Sequence, residues 1–200
     1  MKSTFAAASI LALASSTHAA ITGTAGMVTF GAPPPIANFP PLIGPTAQAW
    51  DEQQNIVVPP LMCEMTVNPS NSTTLTPGPV AGLVNSHFIH FTHFPAISAT
   101  GDVFFSEPIV GVIFRDLSLD MSDGPAGALG TIYPTGQMFR GLNAGTIFIS
   151  GNTLHFDFIN PVPGIQEITQ VRVLTRPVPA PGAAALAGIG GLLALRRRRA

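Results

Sequence analysis

The stretch T-I-F-I-S-G-N-T-L-H-F-D-F-I, residues 146–159, decides the fold class. In its second arm Leu154, Phe156 and Phe158 alternate with His155 and Asp157, the period-2 pattern of a strand with one buried and one solvated face. Gly151-Asn152 between the arms is a two-residue hairpin signal. Working outward, residues 99–105 and 109–114 flank Ser106-Glu107-Pro108 and read as a second strand pair. Residues 170–175 read as a last strand, with Val171 and Val173 on one face and Arg172 on the other.

Toward the N-terminus the texture changes. Eleven prolines lie between Pro33 and Pro79. Pro33-Pro34-Pro35, Pro40-Pro41 and Pro59-Pro60 argue against long helices and interior strand ladders. Short strands over residues 26–30, 55–58 and 63–67 fit between them, and residues 68–79 read as a polar loop. Outside the two ends no window sustains a helical period. The expectation is an all-β chain: nine or ten short strands forming a β-sandwich of jelly-roll type with a Pro-rich N-terminal third.

Composition sets limits on partners. Two hundred residues hold one domain of ordinary size, and 58 of them are Leu, Ile, Val or Phe, enough for a core. The formal charge of −1 conceals an asymmetry. Lys2 is the only lysine, and four of the eight arginines sit at the extreme C-terminus. The middle holds Arg115, Arg140, Arg172 and Arg176 against ten carboxylates, a net of −6. Such a body repels polyanions, so no nucleic-acid partner and no anionic membrane surface is expected. Cys63 is the only cysteine, so no intramolecular disulfide forms, and it reads as a small buried apolar residue.

Both ends read as addresses. Met1-Lys2, an apolar run over residues 5–14 and the small residues before Ala20 make a secretory signal peptide, its helix too short to span a bilayer. The cut falls between Ala19 and Ala20, which implies export machinery and a signal peptidase as partners. The other end runs Arg176-Pro177-Val178-Pro179-Ala180-Pro181, then residues 182–195 without a charge, then Arg196, Arg197, Arg198, Arg199 and Ala200. It is an extended proline spacer, a short apolar helix and a cationic stop. Fourteen helical residues reach about 21 Å, short of a hydrocarbon core of about 30 Å. Composition alone therefore gives a marginal C-terminal membrane anchor, with the arginines on the cytoplasmic side and the body outside.

This three-part order resembles the PEP-CTERM sorting signal of bacteria with an outer membrane. The resemblance covers residues 176–200, with Ala180 where the family usually carries Glu. It implies that a membrane-embedded exosortase-type protease recognises Pro179, Ala180, Pro181 and the cluster Arg196, Arg197, Arg198 and Arg199. It further implies release or transfer to the cell surface and a structural or adhesive role beside extracellular polysaccharide. Residues 49–55, 107–112, 133–136 and 170–175 are similar to recurring segments of uncharacterised secreted bacterial proteins, which implies a shared β-rich domain and no particular activity.

Candidate sites in the body are few. His87, His90 and His93 invite a metal reading, but on a strand His90 points away from the other two. His87 and His93 would stand about 20 Å apart, too far to share an ion. Asp116, Asp120, Ser122 and Asp123 could offer oxygens to calcium, yet their spacing departs from the calcium-loop pattern and Gly124-Pro125 marks an ordinary acidic turn. Trp50 and Tyr133 could stack on sugars, although core packing is the expected role. No nucleophile elbow, zinc-protease motif or phosphate-binding loop occurs. The expectation is a non-catalytic protein without metal or cofactor. A carbohydrate-binding module is the alternative, and a secreted hydrolase would require two close carboxylates of divergent proton affinity.

Overall fold

The computed structural model describes residues 20–38, 44–67, 75–92, 97–159 and 167–177, all within one compact unit, His18–Pro177. The expected signal helix and the short C-terminal helix lie outside the described residues. What is described is mostly strand, as expected of an all-β chain. The strands are β1 (Ile21–Gly26), β2 (Val28–Phe30), β3 (Ala47–Asp51), β4 (Ile56–Val67), β5 (Leu75–Thr92), β6 (Ser98–Phe105), β7 (Ile109–Ile113), β8 (Gly145–Ser150), β9 (Thr153–Ile159) and β10 (Ile168–Thr175). One helix, α1 (Asp116–Ala126), joins them.

The hairpin read from the sequence is present. β8 and β9 pair antiparallel with Ser150 opposite Thr153. Gly151 closes the turn at φ 60°, a conformation that disfavours any Cβ. Inward residues of β9 are buried and its outward residues half-exposed. This hairpin forms one side of a four-stranded sheet, order β1-β6-β9-β8.

The second sheet has the order β10-β7-β4-β5-β3-β2. The pairings β5–β10, β10–β7, β7–β4 and β4–β5 complete a circuit, so this sheet closes on itself through β5. His90 of β5 pairs with both Gln48 and Gln170, which places β3 and β10 on opposite edges of the strand.

Several expectations are corrected. Residues 99–105 and 109–114 do not pair with each other. β6 joins β1 and β9 in one sheet, and β7 joins β4 and β10 in the other, so Ser106-Glu107-Pro108 is a crossing between sheets. The two short strands expected over residues 55–58 and 63–67 are one continuous strand, β4, interior to its sheet. Proline is accommodated there because Val58 faces Gly82 and Leu61 faces Val80. Pro59 and Pro60 together oppose one residue, a bulge in which the ladder is already interrupted. A second register shift, between Cys63 and Thr66, lies opposite Pro77. Residues 75–79, read as part of a loop, belong to β5.

α1 is the largest departure, since no helix was expected in the body. Its sequence, D-L-S-L-D-M-S-D-G-P-A, is poor in helix formers and contains Pro125. Tertiary contacts supply what propensity lacks. Glu64 of β4 accepts the backbone N–H of Phe114 at 2.8 Å and the Ser118 hydroxyl at 2.6 Å, tying the lead-in and the first turn of the helix to β4.

Two apolar clusters hold the body together. One draws Ile21, Val103, Phe105, Leu154, Phe156 and Phe158 from the four-stranded sheet and Ala49, Ile89, Phe91, Val112, Val171 and Val173 from the other. The second lies on the opposite face of β3, β5 and β10, where Trp50, Phe88 and Leu174 meet Leu119 and Ala126 of α1.

Candidate functional site

Beneath α1 the second cluster carries a buried ionic network. Arg172 points to that side of β10, as the alternation requires, and is fully buried. Its Nε and Nη2 donate to the two Glu52 carboxylate oxygens at 2.7 and 3.0 Å, Nη1 donates to Ser122 Oγ, and Nη2 reaches Asp123 at 3.1 Å. The guanidinium also lies over the rings of Phe88 and Tyr133. Burial alone depresses the Arg172 proton affinity, but Glu52 and Asp123 outweigh it and hold the group charged above its ordinary range. The Tyr133 hydroxyl donates to Glu52 Oε1. Burial, then the Glu52 charge, pushes its pKa up.

Arg140, also fully buried, extends the network. Nη1 bonds Asp120 and Asp123, both at 2.6 Å, Nη2 bonds Asp123 at 2.8 Å, and Nε donates to Gln170 Oε1 at 2.6 Å. Gln170 Nε2 donates to Ala37 O and faces His90 Nδ1 at 3.0 Å. That arrangement makes Nδ1 an acceptor and leaves Nε2–H to donate to Thr92 Oγ1 at 2.8 Å. Asp116 completes the acidic face of α1 by accepting the N–H groups of Phe139 and Gly141 at 3.0 and 2.7 Å.

The acidic cluster is therefore not the solvated turn expected from the sequence. Its carboxylates lie on one helix face, and two arginines together with loop N–H groups occupy their oxygens. Among the described residues, no group of three or more His, Cys, Asp or Glu is arranged to hold a metal. His87 and His90 do point to opposite faces, and His93 lies outside the described residues. Trp50 is buried at 5.1 Å from Phe88, and Tyr133 is half-buried in the network, so neither offers an open face to a sugar. Cys63 is buried, and burial, then the neighbouring Glu64 charge, pushes its thiol up to about 12. It is inert at neutral pH.

A second constellation escaped the sequence reading. His87 Nδ1 lies 2.6 Å from Asp51 Oδ1, and its Nε2 lies 3.1 Å from Thr175 Oγ1. The order carboxylate, imidazole, hydroxyl is that of a nucleophilic triad. The burial is not, because His87 and Thr175 have no exposure and no substrate carbonyl can reach the hydroxyl. The relay instead ties the two ends of the body together. Asp51 Oδ1 also accepts the Ile21 N–H at 3.0 Å, and Thr175 is the last residue of β10. One loop holds both junctions: the Ala20 N–H donates to Ser106 Oγ at 3.1 Å, the Ser106 N–H to Ala20 O at 3.1 Å, and the Arg176 N–H to Pro108 O at 3.0 Å. Of the residues assigned to processing, Ala20 is thus placed. Ala19, Pro179, Ala180, Pro181, Arg196, Arg197, Arg198 and Arg199 lie outside the described residues.

The outward face of the four-stranded sheet carries a third arrangement. Cross-strand neighbours Asp102, His155 and Phe148 form a row, with His155 Nδ1 at 2.7 Å from Asp102 and its ring stacked on Phe148 at 4.2 Å. Phe148 is 54% exposed and Phe104 36%. Thr100 Oγ1 donates to Asp157 at 2.9 Å in the next row. No family model, curated protein or solved structure matches the chain.

Proposed function

We propose that this chain is an exported, non-catalytic protein of the cell surface or extracellular matrix. On this reading its body is a β-sandwich, and an exosortase-type system acts on its C-terminal tail. One observation carries the reading: the sequence joins a basic start, a short apolar run and small residues before Ala20 to a proline spacer, an uncharged apolar stretch and four arginines after Thr175. The sandwich is supported by the apolar cluster to which both sheets contribute.

The test is fractionation of cells making the intact chain and a variant in which Arg196, Arg197, Arg198 and Arg199 are replaced by Ser. The intact chain is expected at the surface or in the medium, and the variant is expected to lose that destination. An unchanged distribution would remove the sorting reading.

A second reading rests on the row Asp102–His155–Phe148. Exposed rings beside fixed carboxylates and hydroxyls are the chemistry of saccharide recognition. Binding of neutral polysaccharide by the exported protein, lost in Phe148→Ala and retained in Phe30→Ala, would favour a carbohydrate-binding module. Equal binding by both variants would end that reading.

A further inference from the structure

We infer that Asp51 is the counter-ion of the α-ammonium group that signal cleavage creates on Ala20. The inference rests on the proposed cut between Ala19 and Ala20 and adds a physical consequence to it. Hydrolysis of that peptide bond consumes one water and leaves a carboxylate on Ala19. The Ala20 nitrogen, an uncharged amide with one hydrogen in the precursor, becomes an amine with an ordinary pKa of about 7.7–8.0. At neutral pH it carries three donors and a positive charge.

The site for that charge is already formed. The Ala20 nitrogen donates to Ser106 Oγ at 3.1 Å, and the Ser106 N–H returns a bond to Ala20 O at 3.1 Å, so the residue is fixed at both ends. The next nitrogen along the chain, that of Ile21, donates to Asp51 Oδ1 at 3.0 Å. Adjacent backbone nitrogens are about 3.5 Å apart, which puts the amine no more than about 6.5 Å from Asp51 Oδ1. Opposite charges at that separation favour the charged form.

Asp51 is itself held in place, because Oδ1 also meets His87 Nδ1 at 2.6 Å, while the side chain stays a quarter exposed. Three other titratable or charged residues lie on the segments packed around this corner. His87 lies behind Asp51. Glu107 follows Ser106 and accepts from Asn85 Nδ2 at 2.6 Å. Arg176 is tied through its N–H to Pro108 O. By sign, a carboxylate such as Glu107 supports a positive amine, whereas Arg176 and a protonated His87 oppose it. The geometry gives cleavage a structural readout. With the signal peptide retained the Ala20 nitrogen is an uncharged amide, and its removal places a positive charge near the Asp51 carboxylate. Through His87 and Thr175 the same carboxylate is continuous with the root of the C-terminal tail.

The experiment titrates the α-amino group of the exported protein by isotope-edited NMR, after N-terminal sequencing, beside Asp51→Asn and an N-acetylated form. The inference predicts a chain beginning at Ala20 whose amine titrates at least half a unit above 8.0, and a return to the ordinary range in Asp51→Asn. The N-acetylated form keeps every native side chain and guards against a folding failure of that variant. A raised pKa stabilises below the ordinary value, and the benefit is lost as pH climbs through the raised one. The free-amine form is therefore expected to melt higher than the acetylated form at pH 7, with the gap closing by pH 10. A chain starting elsewhere would overturn the cleavage reading and the inference together. A chain starting at Ala20 with an ordinary amine pKa and no melting gap would overturn the inference alone.

Discussion

Arg172 and Glu52, 120 residues apart, meet with both side chains fully withdrawn from water, joined by two hydrogen bonds at 2.7 and 3.0 Å. A buried pair of this kind offsets its own desolvation and adds little net stability while intact, but breaking it strands a charge. Glu52→Gln keeps the shape and removes the charge. It should cost about 3–5 kcal/mol of an unfolding free energy of order 5–15 kcal/mol. Urea unfolding would show this as a lower midpoint at unchanged slope. A loss below about 1 kcal/mol would mean that the network is wet or loosely held.

Alkaline pH should unfold the body through Cys63 and then Tyr133. The Cys63 thiol is pushed from 9.0 up to about 12 by burial and then by Glu64, so the folded state holds its proton more tightly than the unfolded chain. Its contribution is intact below pH 9 and declines as pH rises toward 12, by up to about 1.4 kcal/mol per unit. Tyr133, also raised by burial and then Glu52, joins above pH 10. Stability measured across pH 8–11 should fall less steeply in Cys63→Ala from pH 9 and in Tyr133→Phe from pH 10. Parallel curves for all three proteins would contradict both assignments.

Gly111 is placed where β7 runs against β4, and a Cβ there would meet Cys63 Sγ at 2.6 Å and Val80 Cγ2 at 2.9 Å. Gly111→Ala should destabilise by about 1–3 kcal/mol through overpacking. The double variant Gly111→Ala, Cys63→Ala should recover part of that loss, since the sulfur is the nearest obstacle. A thermodynamic cycle over the four proteins measures the coupling, and additive effects would place the strain elsewhere.

Phe139 sits at φ 61°, a left-handed conformation unusual for a bulky residue. Asp116 holds it there through the N–H groups on either side of Arg140. Phe139→Gly should relieve the strain, leaving stability unchanged or raised by up to about 1 kcal/mol. Asp116→Ala should destabilise by about 1–3 kcal/mol by leaving both amides without an acceptor. Thermal melts distinguish the two. A loss in Phe139→Gly as large as in Asp116→Ala would mean that the ring, not the turn, matters.

The parts of this fold that were legible obey local rules. The hairpin over residues 145–159 announces itself by strict alternation around a glycine turn, and Arg172 falls on the face that alternation assigns. The parts that were not legible depend on partners far away in the chain. α1 carries Ser, Asp, Gly and Pro where helix formers would stand. It is a helix because Glu64 ties its lead-in and Ser118 to β4 and Arg140 and Arg172 meet its carboxylates. β4 hides behind Pro59-Pro60, whose missing N–H is harmless only because a bulge lies there. β6 and β7 read as a hairpin because they are neighbours in sequence, yet each lies between two partners in a different sheet. The Asp51–His87–Thr175 relay joins three strands, and no spacing in the sequence announces it.

The proposed cut at Ala20 and the proposed processing of the tail are both read by the intact mass of the protein in membrane and extracellular fractions. The expected species is extracellular, begins at Ala20 and lacks the arginine-terminated tail. An extracellular or membrane species that retained residues 182–200 would contradict tail processing and leave a simple tail-anchored protein. One that retained residues 1–19 would contradict the cut at Ala20.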